Sequence, residues 1–454
     1  MMTFGEKQKN IWLLMMRTVM VGALLIISLI SICSEPGVHP DEFDVRACMD
    51  WGMTHWIWPD MRTRGIGLGD TYSYYGYTKV CNYSPYFLVM GKVAYVFARF
   101  MDVLPYYRMP NLLLGIGLAI AVIRRVRTRP YVMLAFGICV QAWYVFSYVT
   151  ADAMDFVLAF VSIMLLADRG SVLWKTIDGE CLSPRRITLN CVLLGLTYGL
   201  MLLGKYYYYA NMVLTFVVLV EHLVRTEPGR KRSVFGRYLI ILGVCLCVWL
   251  ARFGLDVRYY GTNKAEVKMQ MAEEYASPDK KPSTPPEDQD VTWHMASKGY
   301  SIADFFEIND RWLIQSFRSF AGSRITNSGD GIYYWMMLIL YLFIYAVLGT
   351  YAWREGHRIA FLTVTALNVG GIIASVLNSY LIDSQPQGRY LLPILLSTSF
   401  LGSRSRKLWD NIFFRGAVAL AACLAVIYFG LVDVRKLIDL GYVRGLLAGI
   451  CFFG

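Results

Sequence analysis

The chain has 454 residues, of which 56% are hydrophobic, 15% aromatic and only 17% charged, and its mean hydropathy is +0.43. Soluble domains average about 45–50% apolar and about 25% charged residues, so this composition excludes a soluble globular enzyme and a disordered chain and indicates an integral membrane protein. The net charge of +11, from 44 basic and 33 acidic residues, does not point to nucleic acid, because the basic residues sit in short loops between apolar runs and form no stripe on a polar domain.

A membrane-crossing helix needs about 20 largely apolar residues. Runs of this kind fall at 11–33, 107–123, 131–149, 153–167, 188–203, 207–221, 238–255, 333–351, 359–380, 389–402 and 412–431. The tail 443–454 reads as a twelfth span or as an interfacial segment. The expected fold is therefore an all-α integral membrane protein of about 11–12 transmembrane helices with two large outer loops bearing amphipathic helices. Run 11–33 is too long for a signal-peptide core and no small-residue cleavage site follows it, so it is read as a retained first span. Three parts follow: a seven-span module over 1–255 that includes a first outer loop at 34–106, a second outer loop at 256–332, and C-terminal spans over 333–454.

Orientation comes from the loops. Arg124, Arg125, Arg127 and Arg129 share one; Lys175, Arg185 and Arg186 another; Arg225, Arg230, Lys231, Arg232 and Arg237 a third; then Arg354 with Arg358, and Arg404, Arg406 with Lys407. Basic loops stay in the cytoplasm, which places 34–80, 149–153, 204–207, 256–332 and 381–388 on the other side. Parity then requires 84–123 to cross an odd number of times, so 84–103, with Lys92 and Arg99, is read as an interfacial or re-entrant helix.

The first outer loop is rich in aromatics, Trp51, Trp56, Trp58, Tyr72, Tyr74, Tyr75 and Tyr77. These serve either as an interfacial belt or as a stacking surface for sugar rings. In the second loop, the composition of Pro278–Asp290 predicts a disordered crest and Ile302–Phe320 an amphipathic helix. Of ten cysteines, Cys245 and Cys247 read as apolar packing residues. Cys48 and Cys81 flank one outer loop, where a disulfide is chemically allowed.

Four constellations carry possible chemistry, and all fall on the outer side. His39-Pro40-Asp41-Glu42 follows the first span. Pro40 suits a first helical turn, and adjacent carboxylates near low dielectric have raised pKa values, as a general base requires; a helix-terminal charge pair is the plainer reading. Asp152 and Asp155, three apart, share a helix face at a very short turn, and an acid within the membrane boundary is a functional hypothesis. Lys205, followed by Tyr206 to Tyr209, either snorkels or holds a phosphate. Arg389, followed by Tyr390, opens an apolar run and suits bidentate phosphate recognition.

This arrangement resembles the GT-C superfamily of integral-membrane glycosyltransferases, in which an acidic pair follows the first span. His39–Glu42 is similar to that motif, and Asp152 and Asp155 lie where the family has a second acidic site. Gly195–Tyr206 (GLTYGLMLLGKY) is similar to the family's lysine-bearing helix. Gln387–Pro393 (QGRYLLP) resembles a motif near the C-terminus of uncharacterised bacterial members. The resemblance covers most of the chain in layout but few residues in identity, and no soluble C-terminal domain follows the spans as it does in some relatives.

The resemblance implies inverting transfer of a sugar from a polyprenyl-phosphate donor to a hydroxyl acceptor, a cell-envelope glycan or glycolipid, on the outer face of the bacterial cytoplasmic membrane. Asp41 would be the base beside Glu42, and Lys205 and Arg389 would bind the donor phosphate. His39, Asp152 and Asp155 would orient the acceptor or a divalent metal, and Trp51, Tyr206 and Tyr390 would stack on substrate. No nucleotide fingerprint follows a strand, which fits a lipid-linked donor. Metal dependence stays open. The other readings are a flippase for lipid-linked saccharides, which should show paired broken helices and repeats, and a polysaccharide polymerase or ligase.

Overall fold

The computed structural model describes residues 4–35, 37–39, 41–63, 76–81, 84–101, 105–180, 182–323 and 331–441. Pro40, Tyr72, Tyr74, Tyr75 and the tail 443–454 lie outside the described residues. The protein is an all-α integral membrane protein, and its helices run α1 Phe4–Cys33, α2 Glu42–Thr54, α3 Tyr86–Phe97, α4 Pro105–Arg125, α5 Val132–Phe136, α6 Val140–Tyr144, α7 Asp152–Ala167, α8 Val172–Asp178, α9 Pro184–Leu202, α10 Tyr209–Arg225, α11 Pro228–Tyr260, α12 Lys264–Tyr275, α13 Ile302–Ile308, α14 Trp312–Ala321, α15 Ile332–Arg354, α16 Arg358–Leu381, α17 Leu392–Arg404, α18 Ile412–Tyr428 and α19 Val434–Asp439.

Among the described residues, seven helical segments are long and apolar enough to cross a membrane: Glu6–Cys33, Pro105–Arg125, Tyr206–Arg225, Pro228–Tyr260, Ile332–Arg354, Arg358–Leu381 and Ile412–Asp439. An eighth arises if α7 and α8, bent by 55°, count as one broken span. Three of the eleven apolar runs do not meet that standard. Run 131–149 is two five-residue helices, α5 and α6, and run 389–402 is a 3-10 turn at Gly388–Leu391 followed by the 13-residue α17. Run 188–203 lies in α9, whose first turn carries Pro184, Arg185 and Arg186.

Burial explains why sequence overcounts these runs. Residues 132–136, 138–140 and 142–146 are all core, and so are Leu392, Leu395, Leu396, Phe400 and Leu401. A segment enclosed by other helices is apolar all round, so hydropathy does not separate it from a lipid-facing one. α17 packs on α5 and α7 at the centre of the bundle.

The outer pair of this layer is α9 and α11, the most extensive helix contact in the molecule. Gly195 and Gly199, four apart, make it: a Cβ on either would lie 2.6–2.7 Å from the Cβ of Val244 or Val248. Small residues at this spacing let transmembrane helices approach closely.

The expected interfacial helix at 84–103 is α3, only 12 residues long, too short to span. It folds back on α2, and Tyr86, Phe87 and Met90 join Val45 and Met49 in a separate small core. In the second outer loop, Ile302–Phe320 is two helices. A capping box at Ser301 and Asp304 starts α13, and the chain breaks at Asn309 before α14. The predicted disordered crest is a hydrogen-bonded turn: Ser283 N–H donates to Glu273 Oε2 at 2.9 Å, Gln289 Nε2 to Thr284 O at 2.9 Å, and buried Lys280 reaches Asp290 at 3.2 Å. Its polar residues satisfy one another, which composition does not report. Cys48 and Cys81 are both thiols: Cys81 donates to Pro59 O at 3.4 Å and Cys48 lies 4.0 Å from Thr78 Oγ1. Cys245 is buried, and Cys247 is exposed.

The basic loops gather at one end of the bundle. Arg129 pairs with Asp168, Arg230 donates to Asp178 O at 2.7 Å, and Arg237 donates to Ile177 O at 2.6 Å. Asp152, at the opposite end of α7 from Asp168, belongs to the other end.

Candidate functional site

The loop after α1 is fixed by a buried cation that the sequence reading passed over. Arg108, in the first turn of α4 and 1% exposed, forks onto Glu42 through Nε (2.6 Å to Oε1) and Nη2 (2.8 Å to Oε2). Its remaining hydrogens go to Ser31 O, Ser34 O, Ser34 Oγ and Glu35 O at 2.8–3.2 Å. Glu42 Oε2 also accepts from Gly37 N–H at 3.0 Å. Both carboxylate oxygens of Glu42 are thus committed. Glu42, expected in the catalytic pair with Asp41 to orient the acceptor or a divalent ion, instead ties the chain from 31 to 42 to α4. The sequence signal was present, since an arginine within an apolar run requires a buried partner.

His39 is 2% exposed and also committed. Its Nε2 lies 2.7 Å from Ser34 Oγ, its Nδ1 lies 2.8 Å from Tyr144 OH, and its ring stacks on Tyr148 at 5.2 Å. Burial, and then the Arg108 guanidinium, push its pKa well below the histidine value of 6.5. A neutral imidazole with both nitrogens engaged inside the protein does not orient an acceptor or ligate a metal, so that expectation is corrected. Tyr144 ends α6 and Tyr148 follows it, both within the buried 131–149 run. Asn111 secures its end by donating to Tyr148 O (2.6 Å) and Thr150 O (3.0 Å) and accepting from Tyr86 OH (2.9 Å).

Between these anchors Asp41 turns outward. It precedes α2 with φ 62° and ψ 7°, a left-handed conformation, and its side chain is 43% exposed. Arg389 Nη2 lies 3.6 Å from Asp41 Oδ2, and Arg389 Nη1 lies 3.3 Å from Asp152 Oδ2. Asp152 has no exposed surface and also accepts from Thr150 Oγ1 at 3.0 Å and from Tyr207 OH. It therefore positions the Arg389 guanidinium. Gly388 permits this placement: a Cβ there would meet the Phe320 backbone N at 2.0 Å, so the turn before α17 sits directly on α14.

Asp155 is 2% exposed and accepts from Lys205 N–H at 2.9 Å through Oδ2. Its other oxygen lies under Gly204, where a Cβ would meet it at 2.6 Å. Asp155 thus anchors the backbone of the lysine turn rather than reaching toward an acceptor. Among the described residues, the Lys205 ammonium has no ion-pair partner within 4.0 Å.

A cavity of about 1230 Å³ joins these groups, and its lining includes Asp41, Thr150, Lys205, Tyr206, Arg389 and Tyr390. Tyr390 lies under the Arg389 guanidinium at 5.7 Å and donates to Gln385 Oε1 at 2.5 Å, while Tyr206 is 54% exposed. Trp51 is not among the lining residues. It stacks on His55 at 3.6 Å and donates to Ile57 O at 2.9 Å, closing the end of α2. The 256–332 segment also lines the cavity, through α12, Lys280 to Pro282 and Trp293–His294.

Among the described residues, no group of three or more His, Cys, Asp or Glu side chains is placed to hold a metal ion. No family model, no curated protein and no solved structure matches this chain.

Proposed function

We propose that the protein is a glycosyltransferase that moves a sugar from a polyprenyl-phosphate donor to a hydroxyl acceptor on the non-cytoplasmic face of the membrane. The observation that carries this reading is the shared cavity: an outward-facing carboxylate, Asp41, stands 3.6 Å from a guanidinium, Arg389, beside a second cation, Lys205. In the reaction the acceptor oxygen attacks the anomeric carbon from the face opposite the phosphate. The bond from that carbon to the phosphate oxygen breaks, and the hydroxyl proton passes to Asp41. The leaving group is a phosphate that needs no proton, and Arg389 and Lys205 stabilise its charge. Base catalysis of this kind contributes about 10²–10⁴-fold.

Arg389 lies between two carboxylates, and Asp152, wholly buried, is the fixed one. Donor phosphate competes only for the Asp41 side of the guanidinium, so donor binding releases Asp41 for the acceptor proton. Asp41→Asn keeps the shape and removes the base. Purified protein reconstituted in liposomes, supplied with a panel of polyprenyl-phosphate sugars and a membrane extract as acceptor source, should show transfer of radiolabel. Asp41→Asn should lower it at least about 10²-fold without changing the unfolding midpoint. Near-normal turnover by that variant would overturn the assignment, and so would translocation of lipid-linked sugar with no new glycosidic bond.

A further inference from the structure

The cavity holds more positive charge than a donor phosphate uses. Five cations line it, Lys205, Lys268, Lys280, Lys281 and Arg389, against two carboxylates, Asp41 and Asp383. A polyprenyl-phosphate sugar carries one diester charge, which Arg389 and Lys205 already address. The other three cations sit on different elements: Lys268 on α12, and Lys280 and Lys281 in the turn that follows it. Lys280 is committed, buried against Asp290 at 3.2 Å and over the Trp293 ring at 4.5 Å.

Lys268 and Lys281 are not committed in this way. Lys268 is exposed and lies over the Tyr77 ring at 4.6 Å. Neither has a carboxylate within 4.0 Å among the described residues. Glu273, half-buried, interacts electrostatically with Lys281 but already accepts from Ser283 N–H and Ser283 Oγ. Two lysines that line a cavity with no carboxylate paired to either within 4.0 Å among the described residues favour an anionic ligand. The volume, about 1230 Å³, also exceeds the roughly 300–1,000 Å³ of a single-ligand cleft.

We propose that Lys268 and Lys281 form an acceptor subsite for an anionic saccharide, one carrying carboxylate or phosphate groups, in the cavity they share with the donor-phosphate cations. The assignment of the acceptor rests on the transferase reading; the anion site itself does not. Full-length protein in neutral detergent is titrated with labelled trigalacturonate, with mannose 6-phosphate and with neutral maltotriose. Wild type should bind one of the two anions and should bind maltotriose more weakly. Lys268→Ala/Lys281→Ala should weaken anion binding about tenfold, the size of two partly exposed ion pairs, and Lys268→Arg/Lys281→Arg should restore it.

Equal affinity for anionic and neutral saccharides, or unchanged anion affinity in the alanine variant, would overturn the subsite. Loss of saccharide binding when phosphatidylglycerol is added to the micelles would assign the lysines to lipid headgroups and also overturn it. Binding is read without turnover, so failure of the transfer experiment is distinguishable from failure of this one.

Discussion

Glu42 and Asp41 are adjacent carboxylates with opposite parts, and one substitution separates them. Glu42→Gln preserves volume and one carbonyl but removes the charge that Arg108 forks onto at 2.6 and 2.8 Å. The guanidinium is 1% exposed, so it keeps its charge without compensation. Removing one partner of a buried ion pair costs about 3–5 kcal/mol. The same guanidinium also holds the carbonyls of Ser31, Ser34 and Glu35, so the loop that presents Asp41 should loosen with it. The assay is thermal unfolding in detergent alongside sugar transfer. Glu42→Gln should lose stability and activity together, and Arg108→Met/Glu42→Leu should recover only part of the stability, because it removes the uncompensated buried charge but leaves the carbonyls of Ser31, Ser34 and Glu35 without their donor. Wild-type stability in Glu42→Gln, with transfer lost as completely as in Asp41→Asn, would refute the clamp and make Glu42 a reacting group.

Two further expectations follow from packing and protonation. Gly388→Ala places a Cβ 2.0 Å from the Phe320 backbone N; overpacking of this kind costs about 1–3 kcal/mol, and because Arg389 is the next residue, donor binding should weaken with stability. Unchanged unfolding and donor affinity would contradict the contact. His39 has its pKa held well below 6.5 by burial and Arg108. Above pH 6.5 it is neutral folded and unfolded, and its contribution is constant. As pH falls below 6.5 the unfolded chain takes up the proton first, so stability declines by up to about 1.4 kcal/mol per pH unit until the folded value is reached. Unfolding midpoints at pH 7.5 and 5.5 should therefore fall further for wild type than for His39→Gln, and parallel curves would show that His39 titrates normally in the fold.

The sequence carries the fold class and the long lipid-facing spans, because a membrane imposes its own length and polarity on them. It misleads where protein replaces lipid. Runs 131–149 and 389–402 have the composition of spans, yet they form the buried centre on which the site is mounted. The cations and acids around the cavity are legible as types: Asp41, Lys205 and Arg389 line it, and Asp152 stands behind Arg389. Their division of labour is not legible. That His39, Glu42 and Asp155 hold the surrounding structure together depends on Arg108, Tyr144 and the Lys205 N–H, contacts between segments far apart in the chain. Trp51 was an equal candidate for belt or stacking, and only its position against His55 removes it from the cavity.

Backbone strain gives an independent reason to place function here. Among the described residues, only Asp41 (φ 62°) and His294 (φ 50°) are non-glycine residues with left-handed backbone, and both line the same cavity. Such a conformation costs about 1–2 kcal/mol per residue and persists only where neighbours over-determine it. For Asp41 the neighbours are His39 and Glu42, each locked on its own side of the residue. For His294 they are the carbonyls of Ile382, which accepts from its N–H at 2.9 Å, and Leu381, 3.0 Å from its Nδ1. A loop under no constraint would relax at either position or carry glycine. The chain instead carries a carboxylate and an imidazole in the lining of one cavity, one presented by the loop after α1 and the other by the 256–332 segment. The strain is best understood as the cost of aiming Asp41 outward while every other polar group of its motif is turned in.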